Sequence, residues 1–255
     1  MLNIVIPMAG DGRRFAEAGF AMPKPLVPVH GMPMIELVVR NLAPRQPHRI
    51  IFICKQSHLR EHGLAAVLAD VAPSCVVRSL GATSQGAACT VLQAADLIDN
   101  ADPLLVANCD QFVSCDMSAF VDGLARCDGL IMTMRARDPK WSFAACGPDG
   151  LVTRVAEKEV ISDTATVGVY GFARGDAFCA AARRMIAAGK RVRGEFYLAP
   201  VYNEMIAAGA RVGTWSVGSV GAGMDGLGTP EDLARFLADP RSAERVDALR
   251  PAPVA

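Results

Sequence analysis

The sequence lacks the patterns that mark several common kinds of protein. Its 255 residues contain four histidines. None stands in an HExxH pattern, and His58 and His62, four apart, have no third ligand beside them. The eight cysteines are scattered, with no CxxC pair and no zinc spacing against the histidines. Most are expected to be small core residues in a reducing compartment, which makes a cytoplasmic setting the simplest expectation. No apolar run approaches the ~20 residues of a membrane span. The opening LNIVIPMAG is too short, too soon broken by glycine and too poor in basic residues to read as a secretion signal. Lysine plus arginine balance aspartate plus glutamate at 26 each, so no basic footprint for nucleic acid or acidic lipid stands out. No serine–histidine–aspartate set is evident, and neither the GxGxxG nor the GK[ST] nucleotide loop occurs at its proper spacing.

What is present is a large apolar fraction and a clear rhythm. Hydrophobic residues make up 51% of the chain, enough for a substantial core. Residues 3–8 form an unalternating apolar run, as in a parallel strand covered on both faces. Strands are predicted at 49–54, 75–79, 103–108 and 130–134, with helices at 32–42, 58–69, 85–95 and 116–124. This reads as an α/β fold: a Rossmann-like, open, mixed and mostly parallel sheet flanked by helices. The rhythm then changes. Segments 141–146 and 151–156 flank GPDG as a hairpin, 165–172 and 211–217 read as strands, and 174–188 and 200–208 as helices. Thr229 and Pro230 open a last helix. The expected organisation is a single domain over 1–239, with a nucleotide-binding core at 1–135 and a small acceptor-binding lobe at 136–239 that returns to the sheet. A loose tail is expected from 240 to 255.

In such sheets ligands sit beyond the carboxyl ends of the strands. The first of these ends carries MAGDGRRFAEAGFAMPKP. Its backbone at Ala9, Gly10 and Gly12 suits close approach of an anion. Arg14 can add paired donors to phosphate oxygens, whereas the adjacent Arg13 is expected to face elsewhere. Lys24 is a cation held between two prolines. A later strand ends in Asn108, a candidate to contact the nucleoside or to hold the strand-end loop, and in Asp110, whose carboxylate oxygens suit magnesium. GATSQGAACT offers Thr83 and Gln85 as hydrogen-bonding groups and Gly86 as a close-approach point for a flat base.

This arrangement resembles the signature of sugar-1-phosphate nucleotidyltransferases, the nucleotide-sugar pyrophosphorylases. The matching residues are Gly10, Gly12, Arg14, Pro23, Lys24, Pro25 and Leu26, and the likeness runs from about residue 2 to 237. It implies that Arg14 and Lys24 stabilise charge on the α-phosphate and the departing pyrophosphate. It places GATSQGAACT at the nucleobase, with CTP, UTP and dTTP all open. It pairs Asp110 with Asp225 of GMDGLG around one Mg²⁺. It assigns Glu157 and Lys158 to the sugar phosphate, which requires the strand to end or bulge there, and adds Gly168 and Glu195 on the acceptor side. Trp141, Phe143 and Tyr197 line that pocket or only pack. The implied reaction is Mg-dependent transfer of a nucleotidyl group from an NTP to a sugar-1-phosphate, giving a nucleotide sugar and pyrophosphate for surface-glycan synthesis. A homo-oligomer fits the resemblance. Competing readings are a cytidylyltransferase for a non-sugar phosphate or phosphonate, a glycosyltransferase on a similar sheet, and a non-catalytic nucleotide-binding regulator.

Overall fold

A computed structural model describes residues 1–251. The strands are β1 (Leu2–Met8), β2 (Pro28–Val29), β3 (Met32–Pro33), β4 (His48–Lys55), β5 (Val76–Leu80), β6 (Leu104–Ala107), β7 (Gln111–Val113), β8 (Gly129–Arg135), β9 (Ser142–Cys146), β10 (Val152–Glu157), β11 (Thr164–Phe172), β12 (Val212–Val220) and β13 (Gly223–Gly226). The helices are α1 (Arg13–Glu17), α2 (Met34–Leu42), α3 (Gln56–Glu61), α4 (Leu64–Val71), α5 (Ala87–Val91), α6 (Ala95–Ile98), α7 (Met117–Leu124), α8 (Gly175–Ala187), α9 (Val201–Ala207), α10 (Pro230–Ala238) and α11 (Ser242–Asp247).

One mixed sheet organises the molecule, in the order β5-β4-β1-β6-β11-β8-β12-β13-β7, with the β9–β10 hairpin branching from β11. The β5-β4-β1-β6 run is parallel, as are β8-β12-β13. Strand β11 joins these two parallel blocks by antiparallel pairing on both sides. The apolar run of β1 is explained by burial on both faces: Leu2, Ile4, Ile6 and Met8 enter one core cluster, and Val5 enters the other. In α2, Ile35, Val38, Val39 and Leu42 face the first cluster, while Met34 and Leu37 face a third cluster around Phe112 and Phe236.

Local backbone chemistry moves several predicted boundaries. The helix expected over 32–42 starts at Met34, because Met32–Pro33 pairs with Pro28–Val29 around a turn whose residues His30 and Gly31 have φ of 46° and 79°. Gly63, at φ 67°, divides the helix expected over 58–69 into α3 and α4. Gly86, at φ 129°, delays the helix expected over 85–95 until Ala87. The expectation of a loose tail fails for residues 242–247. They form α11, with Ser242 and Val246 fully buried and Val246 packed in the third cluster. Residues 252–255 of that expected tail lie outside the described residues.

Candidate active site

Two adjoining hollows open where the sheet strands end. The smaller, of about 270 Å³, is lined by Ala9, Gly10, Gly12, Thr83, Ser84 and Gly86 among others. The larger, of about 470 Å³, takes Arg14, Asn108 and Asp110 on one side and Glu157, Lys158 and Gly168 on the other. Pro7, Lys24, Ala87 and Cys109 line both. The proposed phosphate loop and the lobe therefore meet around one lysine.

Lys24 owes its position to a single 3₁₀ turn, Lys24–Leu26, whose Pro25 and Leu26 are buried. Its Nζ donates to Asp110 Oδ2 at 2.7 Å. Burial works against the charge on Lys24, but Asp110 and Cys109 together hold the ammonium above its ordinary range. The side chain keeps 23% exposure, so the charged end still reaches the hollows. Gly12, at φ 62°, turns the chain into α1. Arg14 then lines the larger hollow, while Arg13 is 81% exposed. Asp11 accepts from Lys55 at 2.5 Å, and that bond, with the nearby Lys55 and Arg13 charges, holds its carboxyl below the usual range.

The 83–88 loop is fastened from behind. Phe196 N–H donates to Gln85 O at 2.9 Å, and Ala88 N–H donates to Phe196 O at 3.0 Å. A Cβ on Gly86 would lie 2.5 Å from the Phe196 backbone, so the approach requires glycine. Thr83 lines the smaller hollow. The Gln85 side chain does not follow expectation. Its amide oxygen accepts from Arg191 at 2.6 Å, on the rear of the loop.

Glu157 and Lys158 both reach the larger hollow because β10 stops at Glu157 and Lys158 takes φ 57°. Lys158 bonds the Tyr197 hydroxyl and lies 4.4 Å over its ring. Glu157 accepts from the Ser142 hydroxyl. Burial pushes the Glu157 carboxyl up, against the Ser142 bond and the Lys158 charge. Gly168, at φ 83°, packs on Asn108, and a Cβ there would lie 2.4 Å from the Asn108 amide nitrogen. Asn108 was expected beside the nucleoside but lines the larger hollow. Glu195 moves the other way, from the expected acceptor side to the smaller hollow. Trp141 and Tyr197 line the larger hollow, whereas Phe143 is fully buried core.

The expected pairing of Asp110 with Asp225 is not what the structure shows. Strand β13 runs antiparallel to β7, with Gly226 opposite Gln111 and Asp225 opposite Phe112. Alternation then turns Gly226 toward the hollow and Asp225 away from it. Asp225 instead receives Arg245 at 2.6 Å, whose guanidinium lies 4.4 Å over the Phe112 ring. Among the described residues, no group of three or more histidine, cysteine, aspartate or glutamate side chains is placed to hold a metal ion. Asp110 alone still fits magnesium, which takes one or two carboxylates and completes its shell with phosphates and water.

Sequence reasoning missed Arg193, Lys140 and Asp232, which also line the larger hollow. Lys140 bonds both Asp232 oxygens, at 3.0 and 3.2 Å. The one legible signal for Arg193 was its place just before Gly194 and Glu195 in a tight turn.

A family model described as nucleotidyl transferase matches residues 4–198. The chain belongs to the nucleotidyl transferase family. Family membership places it in the nucleotidyl-transfer class of enzymes. It is 32% identical over 163 residues to the bifunctional protein GlmU of Burkholderia multivorans, covering 62% of this chain and 34% of that protein. To GlmU of Burkholderia mallei it is 26% identical over 232 residues, covering 84% and 46%. This nucleotidyl transferase thus spans less than half the length of these curated relatives. Among solved structures, a nucleoside-diphosphate-sugar pyrophosphorylase from Vibrio cholerae RC9 superposes with a TM-score of 0.79 at 26% identity, covering 92% of this chain and 99% of that one. A putative glucose-1-phosphate thymidylyltransferase from Bacillus anthracis shares the fold, with a TM-score of 0.78 at 18% identity, over 99% and 98% of the two chains.

Proposed function

We propose that this nucleotidyl transferase joins an NTP, one of CTP, UTP or dTTP, to a sugar-1-phosphate and releases pyrophosphate. The carrying observation is Lys24, which stands on the wall common to both hollows. An acceptor phosphate oxygen forms the new bond to the α-phosphorus as the α–β bridging bond breaks, and the electron pair leaves with pyrophosphate. The acceptor phosphate is already anionic, so no general base is needed; alignment and charge neutralisation carry the rate. Lys24 and Arg14 hold the phosphate chain, and Lys158 with Arg193 brings the acceptor phosphate to it. Asp110 would hold Mg²⁺, whose charge offsets repulsion between the two anionic substrates.

The lining of the larger hollow favours a sugar over a choline-like acceptor. A quaternary amine calls for an aromatic cage, but here Lys140, Lys158 and Arg193 share the wall with Trp141 and Tyr197. Glu157 offers a carboxylate to sugar hydroxyls. The role in surface-glycan precursor synthesis and the division of labour between residues 1–135 and 136–239 belong to the same proposal. The test is a screen of NTPs against sugar-1-phosphates and small phosphorylated acceptors, reading pyrophosphate and product mass. A nucleotide sugar is the expected product; pyrophosphate released only with phosphocholine-like or phosphonate acceptors would refute it.

A further inference from the structure

Residues 192–195 form a reverse turn driven between the two hollows. Val192 and Glu195 exchange backbone hydrogen bonds of 3.0 Å in both directions. The two central residues, Arg193 and Gly194, have φ of 47° and 85°, as mirror-image hairpin turns require. The turn is braced by Arg191, which bonds Gly194 O at 3.0 Å and Gln85 Oε1 at 2.6 Å and lies 4.2 Å over the Phe196 ring. Its faces are chemically opposite. Arg193 and Tyr197 look into the larger hollow, and the exposed Glu195 looks into the smaller.

A carboxylate in a nucleotide pocket has few tenable places. It repels a triphosphate, so it cannot share the end of the hollow where Lys24 and the glycine loop stand. The backbone bonds from Phe196 to Gln85 and Ala88 put it instead beside the 83–86 loop, where Thr83 and Ser84 also line the wall. The polar contacts of the turn run through its backbone and Arg191, which leaves the Glu195 carboxylate to the hollow. Ionised, it only accepts hydrogen bonds. We infer that Glu195 selects the nucleotide by accepting from a donor on the nucleoside, either the amino group of the base or the ribose 2′-hydroxyl. This deepens the proposed function and rests on it for the identity of the nucleotide pocket.

The test compares the wild type with Glu195→Gln and Glu195→Ala, using CTP, UTP, dCTP and dTTP. Pyrophosphate release gives kcat/KM for each nucleotide with a fixed sugar-1-phosphate, and calorimetry gives nucleotide binding without any acceptor. Glu195→Gln is expected to weaken the preferred nucleotide on the order of 10–100-fold, as for a lost hydrogen bond to a charged group. The acceptor KM should stay within about twofold, since Glu195 is absent from the larger hollow. A changed CTP-to-UTP ratio assigns the donor to the base; a changed ratio between ribo- and deoxyribonucleotides assigns it to the sugar. Equal loss for every nucleotide, or a shift confined to the acceptor KM, overturns the inference. If the wild type turns over no sugar-1-phosphate, the proposed function fails while the calorimetric ratios still decide the role of Glu195.

Discussion

In the proposed reaction, Lys24 concentrates the chemistry at a single residue. Its Nζ is committed to Asp110, yet the side chain borders both hollows, so it can follow charge from the reacting phosphate to the leaving group. Lys24→Ala should lower kcat by about 10²–10³-fold, the size of losing one preorganised donor, with a much smaller change in nucleotide KM; steady-state pyrophosphate release measures both. Two glycines separate folding from ligand approach. Gly86 combines φ 129° with a Cβ position 2.5 Å from the Phe196 backbone, so Gly86→Ala should cost ~2 kcal/mol or more. In a chain of this size that lowers Tm by at least ~4 °C. A Cβ on Gly10 meets nothing within 4 Å. Gly10→Ala should leave Tm within about 2 °C, since such a surface change stays near ±0.5 kcal/mol, while calorimetry is expected to show weaker NTP binding.

Strand β13 decides which carboxylate reaches the site. Asp225→Asn is expected to leave the Mg²⁺ concentration dependence of turnover unchanged, because Asp225 is turned to Arg245. Asp110→Asn should raise the Mg²⁺ needed for half-maximal rate by about tenfold or more, the scale of a charge-assisted contact. Titrating Mg²⁺ against pyrophosphate release separates the two variants. The element level is also where the sequence stopped being readable. The glycine loop, Lys24, Asp110 and the Glu157–Lys158 pair were legible because local patterns fix a strand end followed by a polar loop. The facing of Asp225 depends on parity in a four-residue strand paired with a three-residue one, and a one-residue shift reverses it. Helix α11 was missed for a related reason. Its SAERVD sequence is mostly polar, and its burial comes from Phe112 and Phe236, far away in the chain. Glu195 lines the smaller hollow rather than sharing the larger one with Arg193 and Tyr197, a placement set by a turn with two positive φ values that local sequence patterns do not announce.

At the scale of the molecule, the strands that carry Glu157 and Gly168 share one sheet with the strand before the glycine loop, so site charges are coupled to global stability. Glu157 is the clearest case. Burial raises its pKa above the ordinary 4.5, so between that pH and the raised value the native chain holds a proton the unfolded chain has lost. Stability therefore falls as pH rises through that window. Glu157→Gln should remove this slope and make the protein more stable than wild type on its alkaline side, as urea unfolding between pH 4.5 and pH 8 would show. The sheet order has a kinetic counterpart: β12 lies between β8 and β13, so pairing completes only after residues near 226 have joined strands made much earlier. The wall formed by Pro7, Lys24, Ala87 and Cys109 has a practical consequence. Because the same four residues border both hollows, the span between them is short, and under the proposed function a bisubstrate inhibitor tethering a nucleoside to a sugar mimic would occupy both at once. With a tether matched to that short span, its avidity can exceed that of either half by about 10²–10⁴-fold.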